Sequence, residues 1–238
     1  MSKVLERFLN YVRFDTQSDE NSESYPSTEG QRIFAEHLKN ELISIGMKDV
    51  EVDEYSYVFG TLPSNIEKDI PSIGFMAHMD TAPNMSGKDV KPRVVENYDG
   101  KNIILNEKHN IVLSTKYYPE ILQFVGDSIV VTDGTTLLGA DDKGGVAEII
   151  TAMEYLIKHP EIEHGKIRVC FTPDEEIGKG VQYLDPNKFG VKFAYTIDGG
   201  PVGELQFENF NAAKALIQIH GVDIHPKEAK GKMKNSVL

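Results

Sequence analysis

Three short apolar runs that alternate with helical patterns constrain the fold of this chain more than any other feature. The runs cover residues 73–77, 167–171 and 193–197 and have the length and composition of buried strands. Between the first two runs, apolar residues recur at helical spacing from Val146 to Leu156. Strands that alternate with helices predict an α/β fold in which a largely parallel central sheet is flanked by helices.

Two further helices are predicted in the amino-terminal part of the chain. Their apolar residues recur at helical spacing and are Val4, Leu5, Phe8, Leu9 and Val12 in the first helix and Ile33, Phe34, Leu38 and Leu42 in the second. Gly46 is expected to end the second helix. Thr28 and Gln31 match a capping box, in which the threonine oxygen accepts a hydrogen bond from the backbone of residue 31 and the glutamine side chain reaches back.

The pattern of apolar and polar residues changes in two places. From residue 90 to residue 132, short extended pieces predict hairpins at the rim of the sheet, with Asp-Gly turn signals at residues 99–100 and 133–134. Later, an alternating pattern over residues 213–219 predicts a strand, and a helix is expected to start at Pro226. Apolar residues at the end of that helix have no partner in the sequence, so we expect the chain to stop within a second, smaller domain.

The charge balance and the cysteine content exclude several classes of function. The 238 residues include 25 lysines and arginines against 37 aspartates and glutamates, and the net charge of −12 disfavours both nucleic acid and an anionic membrane as partners. No apolar leader and no run of 18 apolar residues occurs, so we expect neither a signal peptide nor a membrane span. The single cysteine, Cys170, excludes an intrachain disulfide and is expected to be a core residue of a cytoplasmic protein.

Four groups of candidate metal ligands follow predicted strands or turns. They are His78-Met-Asp80, Asp141-Asp142, Asp174-Glu175-Glu176 and Asp198-Gly-Gly. Each group alone has an ordinary structural explanation, such as a helix cap, a solvated acidic turn or a plain turn. All four, however, share one position in the predicted architecture, because ligands bind at the carboxyl ends of strands in open α/β sheets. One imidazole with several carboxylates and no cysteine favours a catalytic zinc site over a structural one.

The chemistry of these residues suggests individual roles. Asp80 has the offset from His78 that lets a carboxylate hold the second nitrogen of a metal-binding imidazole. Of two adjacent glutamates, one can bind a metal while the other takes a proton from a water that the metal has acidified. Glycines before and after Asp141 permit an unusual backbone path where that residue enters the site.

Five stretches of the chain are specific enough to compare with a known family. They are FMAHMDTAPN, TDGTTLLGADDKGGVAEII, FTPDEEIGKG, AYTIDGG and GELQFENFNAA. Together they closely resemble the M20 family of di-zinc peptidases, and the resemblance runs from FLNYVRFDTQSD to the last residue. The most specific stretch, TDGTTLLGADDK, favours the members that release the amino-terminal residue of tripeptides. The resemblance implies a zinc-exopeptidase fold, with residues 1–209 as the zinc-binding catalytic domain and residues 210–238 as the start of a smaller α+β lid and dimerisation domain.

The resemblance also implies a role for each site residue. The implied zinc ligands are His78 and Asp198 for one ion, Asp141 as a bridge between two ions, and Glu176 for the second ion. Glu175 matches the catalytic general base, and Asp80 matches the residue that orients the imidazole. In the family, the peptide bond that follows the bridging aspartate is cis.

Two further features of the family concern the activity expected of this chain. His225, in HGVDIHPKEAKGKM, matches a lid histidine that meets the substrate in the site of a partner subunit, which implies a homodimer of the complete protein. Family members carry a further zinc-ligating histidine in a later part of the catalytic domain, and this chain ends before that part. We therefore expect a truncated chain that does not hydrolyse tripeptides by itself.

Two alternatives stay open on the sequence. One is another M20 hydrolase with the same metal set, namely a dipeptidase, a carboxypeptidase or an N-acyl-amino-acid deacylase. The other is a non-catalytic product that binds one metal ion or none. Measurements of metal content and peptide turnover would distinguish these two hypotheses from that of a tripeptide aminopeptidase.

Overall fold

A computed structural model describes residues 2–208, 211–213, 215, 217–222 and 225–234 of the chain. It divides into two compact units, Met1–Gly200 and Pro201–Leu238. Within the described residues, no helix has both the length and the apolar character needed to cross a membrane.

Most of the regular structure lies in the first unit. Its helices are α1 (Lys3–Tyr11), α2 (Glu29–Ile45), α3 (Ala140–Lys158) and α4 (Pro186–Phe189). Its strands are β1 (Lys48–Val52), β2 (Val58–Leu62), β3 (Ile73–His78), β4 (Arg93–Val95), β5 (Ile103–Asn106), β6 (Ile111–Leu113), β7 (Ile129–Val131), β8 (Ile167–Thr172) and β9 (Phe193–Thr196). The three predicted strands and the three predicted helices of this unit are confirmed, with boundaries shifted by a few residues at most of their ends.

The central sheet has five strands in the order β1-β2-β8-β3-β9. The strands β8, β3 and β9 are parallel, with Ala77 opposite Phe171 and Gly74 opposite Ala194. The sequence pattern did not predict β1 and β2. β2 pairs with β8, and β1 pairs with β2, both in antiparallel orientation. The sheet is therefore mixed rather than largely parallel. Parallel pairing brings the carboxyl ends of β3, β8 and β9 to one edge of the sheet.

Helices α2 and α3 bury their apolar residues against one face of this sheet, and α1 packs on α3. Fully buried members of this core include Tyr11, Phe34, Leu38, Leu42, Val58, Val146, Ile150, Val169 and Phe171. A smaller cluster packs Phe59 and Cys170 with Phe189 of α4, so the alternating side chains of β2 and β8 are covered on both faces. Cys170 is a buried core residue, as predicted, and its burial raises the pKa of the thiol.

The two ends of α2 test the predicted helix signals. Gly46 ends the helix in the left-handed conformation, with φ of 104°, as predicted. The capping box is wrong, because the Thr28 side chain makes no capping hydrogen bond to the helix. The side chain of Gln31 donates to Thr28 Oγ1 at 3.2 Å and turns mainly toward Asp174, 143 residues away in sequence.

Hairpin-like pairs form in the segment that follows β3, although not at the predicted turns. The strands β5 and β6 form the hairpin, and β4 pairs with β7 across it. The Asp99-Gly100 turn signal lies between β4 and β5, which do not pair, and Asp133-Gly134 follows β7. The glycine of each Asp-Gly pair lies in a bend with positive φ, and neither pair closes a hairpin. Tyr98, Ile103 and Val131 form a separate small core for this segment.

The second unit contains little regular structure in its described residues. No described residue of the 213–219 stretch lies in a strand, so the predicted strand is wrong there. The helix expected from Pro226 is a single 3₁₀ turn over Pro226–Glu228, and residues 235–238 lie outside the described residues. Apart from the partly covered Ala229, the side chains of this unit whose burial is described are exposed. An isolated short helix or strand without a buried face is marginal in water, which explains both departures.

Glu154 of α3 holds α1 and α3 together through an ion-pair network. Its carboxylate pairs with Lys3 and with Arg7, each at 2.6 Å, and also with Lys158 on the next turn of α3. Arg7 reaches Glu41 of α2 at 2.7 Å, so the network ties all three helices. Hydrogen bonds from Lys158, Lys3 and Arg7 lower the pKa of the Glu154 carboxyl to about 2.

Glu154→Gln is expected to lower the free energy of unfolding at pH 7 by about 1–2 kcal/mol. The folded pKa of Glu154 lies below its ordinary value of 4.5, so its contribution is complete above that pH and is lost as the pH falls toward 2. Urea unfolding at about pH 7 and about pH 3 measures this change. Glu148→Gln, at an exposed position of the same helix, is the control. A difference between Glu154→Gln and the parent chain that stays constant over this range would contradict the ion-pair explanation.

Candidate metal centre

The candidate site lies at the edge where the parallel strands end. His78 is the last residue of β3, and Asp198 comes two residues after β9. The Glu175-Glu176 pair follows β8 in a 3₁₀ turn, and Asp141 lies at the start of α3. Four segments that are distant in sequence therefore converge at the position that the strand pattern predicted.

His78, Asp141 and Asp198 form a compact group of metal-ligating side chains. His78 Nε2 lies 2.9 Å from Asp141 Oδ1 and 4.0 Å from Asp198 Oδ1. One ligand atom from each residue lies within 4.8 Å of the others, and among the described residues no other group of three or more such side chains meets this condition. The imidazole is 2% exposed, whereas the Asp141 carboxylate faces outward. A buried imidazole between two carboxylates that can be reached from solvent is a donor set that fits a divalent cation.

The charges around His78 also suit the binding of a divalent cation. Burial disfavours its protonated form, but Asp80, Asp142 and Asp198 outweigh this and raise the pKa of the imidazole to about 10. The surrounding carboxylates therefore stabilise a positive charge at the position of Nε2. A metal cation bound there would take the place of the Nε2 proton, so metal binding should release protons.

Asp80 contacts both the imidazole and the glutamate turn. His78 Nδ1 lies 3.1 Å from the main-chain oxygen of Asp80 and 3.4 Å from its carboxylate. The same carboxylate, which is fully buried, accepts the backbone N–H groups of Glu175 at 2.9 Å and Glu176 at 3.1 Å. The second set of contacts has no signal in the sequence, because the partners are 95 and 96 residues away.

The two adjacent glutamates have different surroundings. Glu175 Oε2 lies 3.9 Å from His78 Nε2. Glu176 lines a cavity of about 390 Å³ together with Asp141 and the loop of residues 137–140. Burial is the largest influence on both carboxyls and raises the pKa of each, and nearby carboxylates add to the effect.

Asp142, which was given no role of its own from the sequence, is an internal anchor. Its carboxylate accepts the backbone N–H of His78 at 3.1 Å and that of Gly145 at 3.2 Å. Burial raises the pKa of this carboxyl to about 8. The Asp141-Asp142 peptide bond is cis, as the family resemblance implied. Asp142 therefore links the start of α3 to the end of β3.

Gly145 allows α3 to approach the segment that carries Asp198. A Cβ atom at this position would lie 2.1 Å from the main-chain oxygen of Ile197 and 2.4 Å from Asp142 Oδ1. At the neighbouring Gly144, a Cβ atom would meet nothing within 4 Å. Only the second glycine of the pair is thus required by close packing.

Two further predicted residues lie in different places. Asp174 is fully buried, and its carboxylate accepts hydrogen bonds from Ser27 in the loop before α2 and from Gln31 of α2. His225 belongs to the second unit, where it is exposed and its Nδ1 accepts the backbone N–H of Lys227 at 3.4 Å. Its role as a substrate contact stays a prediction.

Known proteins are similar to this chain in sequence and in fold. A model of peptidase family M20/M25/M40 matches residues 132–221. The chain is 60% identical to peptidase T of Caldanaerobacter subterraneus subsp. tengcongensis over 238 residues, which are 100% of this chain and 58% of that protein.

Two solved structures are similar in fold. Aminopeptidase PepT from Bacillus cereus ATCC 10987 has a TM-score of 0.59 at 24% identity. A tripeptidase from Staphylococcus aureus subsp. aureus Mu50 has a TM-score of 0.57 at 27% identity. Each match covers 84% of this chain and 43% of the other.

The chain spans just under three fifths of the length of the curated relatives that it matches. Within that span, its similarity to peptidase T includes every segment of the candidate site, from the end of β3 to Asp198. The fold, a mixed sheet flanked by helices, is similar to those of the aminopeptidase and the tripeptidase structures. This chain is therefore similar to peptidase T over its whole length, and residues 132–221 match the model of peptidase family M20/M25/M40.

Proposed function

We propose that this centre binds two zinc ions and serves an aminopeptidase that releases the amino-terminal residue of tripeptides. The observation that carries the proposal is the group formed by His78, Asp141 and Asp198, whose ligand atoms lie within 4.8 Å of one another. Catalytic zinc sites use three protein ligands of this kind and leave a position open for water or substrate. The similarity to peptidase T and to a tripeptidase supports the choice of substrate.

Each ligand has a proposed place. His78 and Asp198 would hold one zinc ion, and Asp141 would bridge to the second. Glu176 would hold the second ion, which is supported by its position beside Asp141 on the same cavity. Asp80 would keep the imidazole of His78 oriented through its contacts with Nδ1.

Glu175 is the proposed general base. A bound zinc pair would polarise the scissile carbonyl and lower the pKa of water at the site. Glu175 would accept the proton from that water and then donate it to the leaving amine. Burial and the charge of Asp198 raise the pKa of the Glu175 carboxyl, which suits a group that acts first as a base and then as an acid.

The remaining parts of the proposal concern location and partners. We place the protein in the cytoplasm, supported by its single, buried and unpaired cysteine. The net charge of −12 disfavours nucleic acid and anionic membranes as partners. His225 is proposed to contact the tripeptide in the site of a second subunit, which requires a homodimer of the complete protein.

Hydrolysis of a tripeptide by a chimera tests the proposal. In the chimera, residues 1–238 replace the matching part of full-length peptidase T from Caldanaerobacter subterraneus subsp. tengcongensis. The relative supplies the rest of its own chain, which this chain does not match. We expect release of the amino-terminal residue, loss of at least about 99% of the rate after dialysis against a strong chelator, and recovery on addition of zinc. A tripeptide with a blocked amino group is the control and should not be cleaved. Turnover that persists in chelator without detectable metal would refute the proposal.

A further inference from the structure

The turn that carries Glu175 and Glu176 begins at a residue with an unusual backbone conformation. Asp174 has a φ of 55°, in the left-handed region, and precedes the 3₁₀ turn Glu175–Ile177. A non-glycine residue in this region costs of the order of 1 kcal/mol and persists only where its surroundings hold it. The conformation redirects the chain after β8, so it sets the direction in which the two glutamates leave the sheet.

A buried network on the far side of the turn holds Asp174 in place. Its carboxylate accepts hydrogen bonds from the backbone N–H of Ser27 at 2.7 Å, from Ser27 Oγ at 2.5 Å and from Gln31 Nε2 at 2.7 Å. Asp174 and Gln31 are both fully buried. A buried carboxylate that accepts three hydrogen bonds is a well-satisfied group.

Gln31 binds Asp174 at two points. Its Nε2 donates to the carboxylate, and its Oε1 accepts the backbone N–H of Asp174 at 3.0 Å. The amide of one side chain thus fixes both the main chain and the side chain of the residue that opens the turn. From the other side, Asp80 accepts the backbone N–H groups of Glu175 and Glu176. The turn is therefore held between α2 and the end of β3.

We propose that Gln31 is a positioning residue that acts through Asp174 to set the orientation of Glu175 and Glu176. The inference deepens the proposed function, because it rests on the roles assigned there to the two glutamates. Gln31 does not touch the metal-ligating group, so its effect must pass through the main chain of residues 174–176. Loss of its amide would leave a buried N–H at Asp174 without its partner and remove one donor from the carboxylate.

The test uses Gln31→Met in the 238-residue chain, because methionine has a similar length and lacks the amide. Glu41→Met is the matched control: Glu41 lies on the same helix and holds Arg7 and Tyr11, far along α2 from the glutamate turn. Gln31→Met loses buried polar contacts and Glu41→Met loses partly buried ones, so both variants should be less stable. Two-dimensional NMR follows the backbone amide signals of Glu175 and Glu176, first for hydrogen exchange without metal and then during titration with zinc chloride.

In Gln31→Met we expect these two amides to exchange at least about tenfold faster than in the parent chain. We also expect the zinc concentration that half-shifts their signals to rise about tenfold. In Glu41→Met both quantities should stay within about twofold, despite its lower stability. Ser27→Ala, which removes one donor to Asp174, is a milder second variant and should change both quantities in the same direction by about threefold.

Equal exchange at these amides in Gln31→Met and in Glu41→Met would overturn the inference. Faster exchange with an unchanged zinc response would overturn it as well, because the glutamates would then keep their geometry without Gln31. If zinc leaves the signals of the parent chain unaltered, the metal-free exchange comparison alone decides the role of Gln31, and the proposed function is decided by the chimera.

Discussion

Glu175→Gln in the chimera is expected to lower kcat for tripeptide hydrolysis by about two to four orders of magnitude, the usual contribution of a general base. Glutamine keeps the size of the side chain but cannot accept the proton from water. The zinc content should stay at that of the parent chimera, because Glu175 is not among the proposed ligands. Steady-state kinetics and metal analysis of the same preparation measure both quantities.

Glu176→Gln is the matched comparison at the neighbouring position. It is expected to lose zinc together with activity, since Glu176 is proposed to hold the second ion, and excess zinc should restore part of the rate. The contrast distinguishes a base from a ligand although both residues lie in one turn. Near-normal kcat in Glu175→Gln, or equal loss of zinc in both variants, would contradict the assignment.

Gly145→Ala is expected to destabilise the 238-residue chain by about 3 kcal/mol, at the upper end of the range for overpacked positions. The added methyl group would lie 2.1 Å from the main-chain oxygen of Ile197, an atom that cannot move without displacing the segment that leads to Asp198. We therefore also expect zinc binding to weaken about tenfold or more. Chelator-competition titration and urea unfolding measure the two effects.

Gly144→Ala provides the control from the adjacent residue of α3. Its Cβ atom would meet nothing within 4 Å, and alanine favours a helix over glycine by about 1 kcal/mol. Zinc affinity should not change, and stability should stay the same or increase. If both alanine variants behaved alike, the close approach at residue 145 would not be what places Asp198.

The sheet edge that carries the site could be predicted from the sequence because local patterns mark it. The strands β3, β8 and β9 each form a short apolar run, and polar ligands follow where the run ends. The strands β1 and β2 were missed for local reasons as well. β1 is half polar and largely exposed, and β2 is interrupted by Gly60, so neither forms a clear run.

Pairwise contacts inside the site could not be predicted in the same way. Asp141 and Asp142 are adjacent and chemically identical, yet one carboxylate faces outward and the other binds backbone N–H groups. Gln31 fits a local capping pattern, but its amide binds Asp174 instead, because a buried carboxylate offers a stronger partner than a helix end that water can reach. Such choices depend on tertiary neighbours that have no trace in the adjacent sequence.

The position of β8 has a consequence for how the protein is made. β8 lies between β2 and β3, which precede it by about one hundred residues and do not touch each other. During synthesis, β2 can pair with β1 at once, but neither β2 nor β3 can pair with β8 until the ribosome has released residue 172, and β9 must follow before Asp198 arrives. Long-range pairing of this kind is slow, and unpaired strand edges invite association with other chains. The candidate centre therefore depends on β9, the last of the five described strands of the central sheet to emerge, and one edge of β2 stays unpaired until β8 has been made.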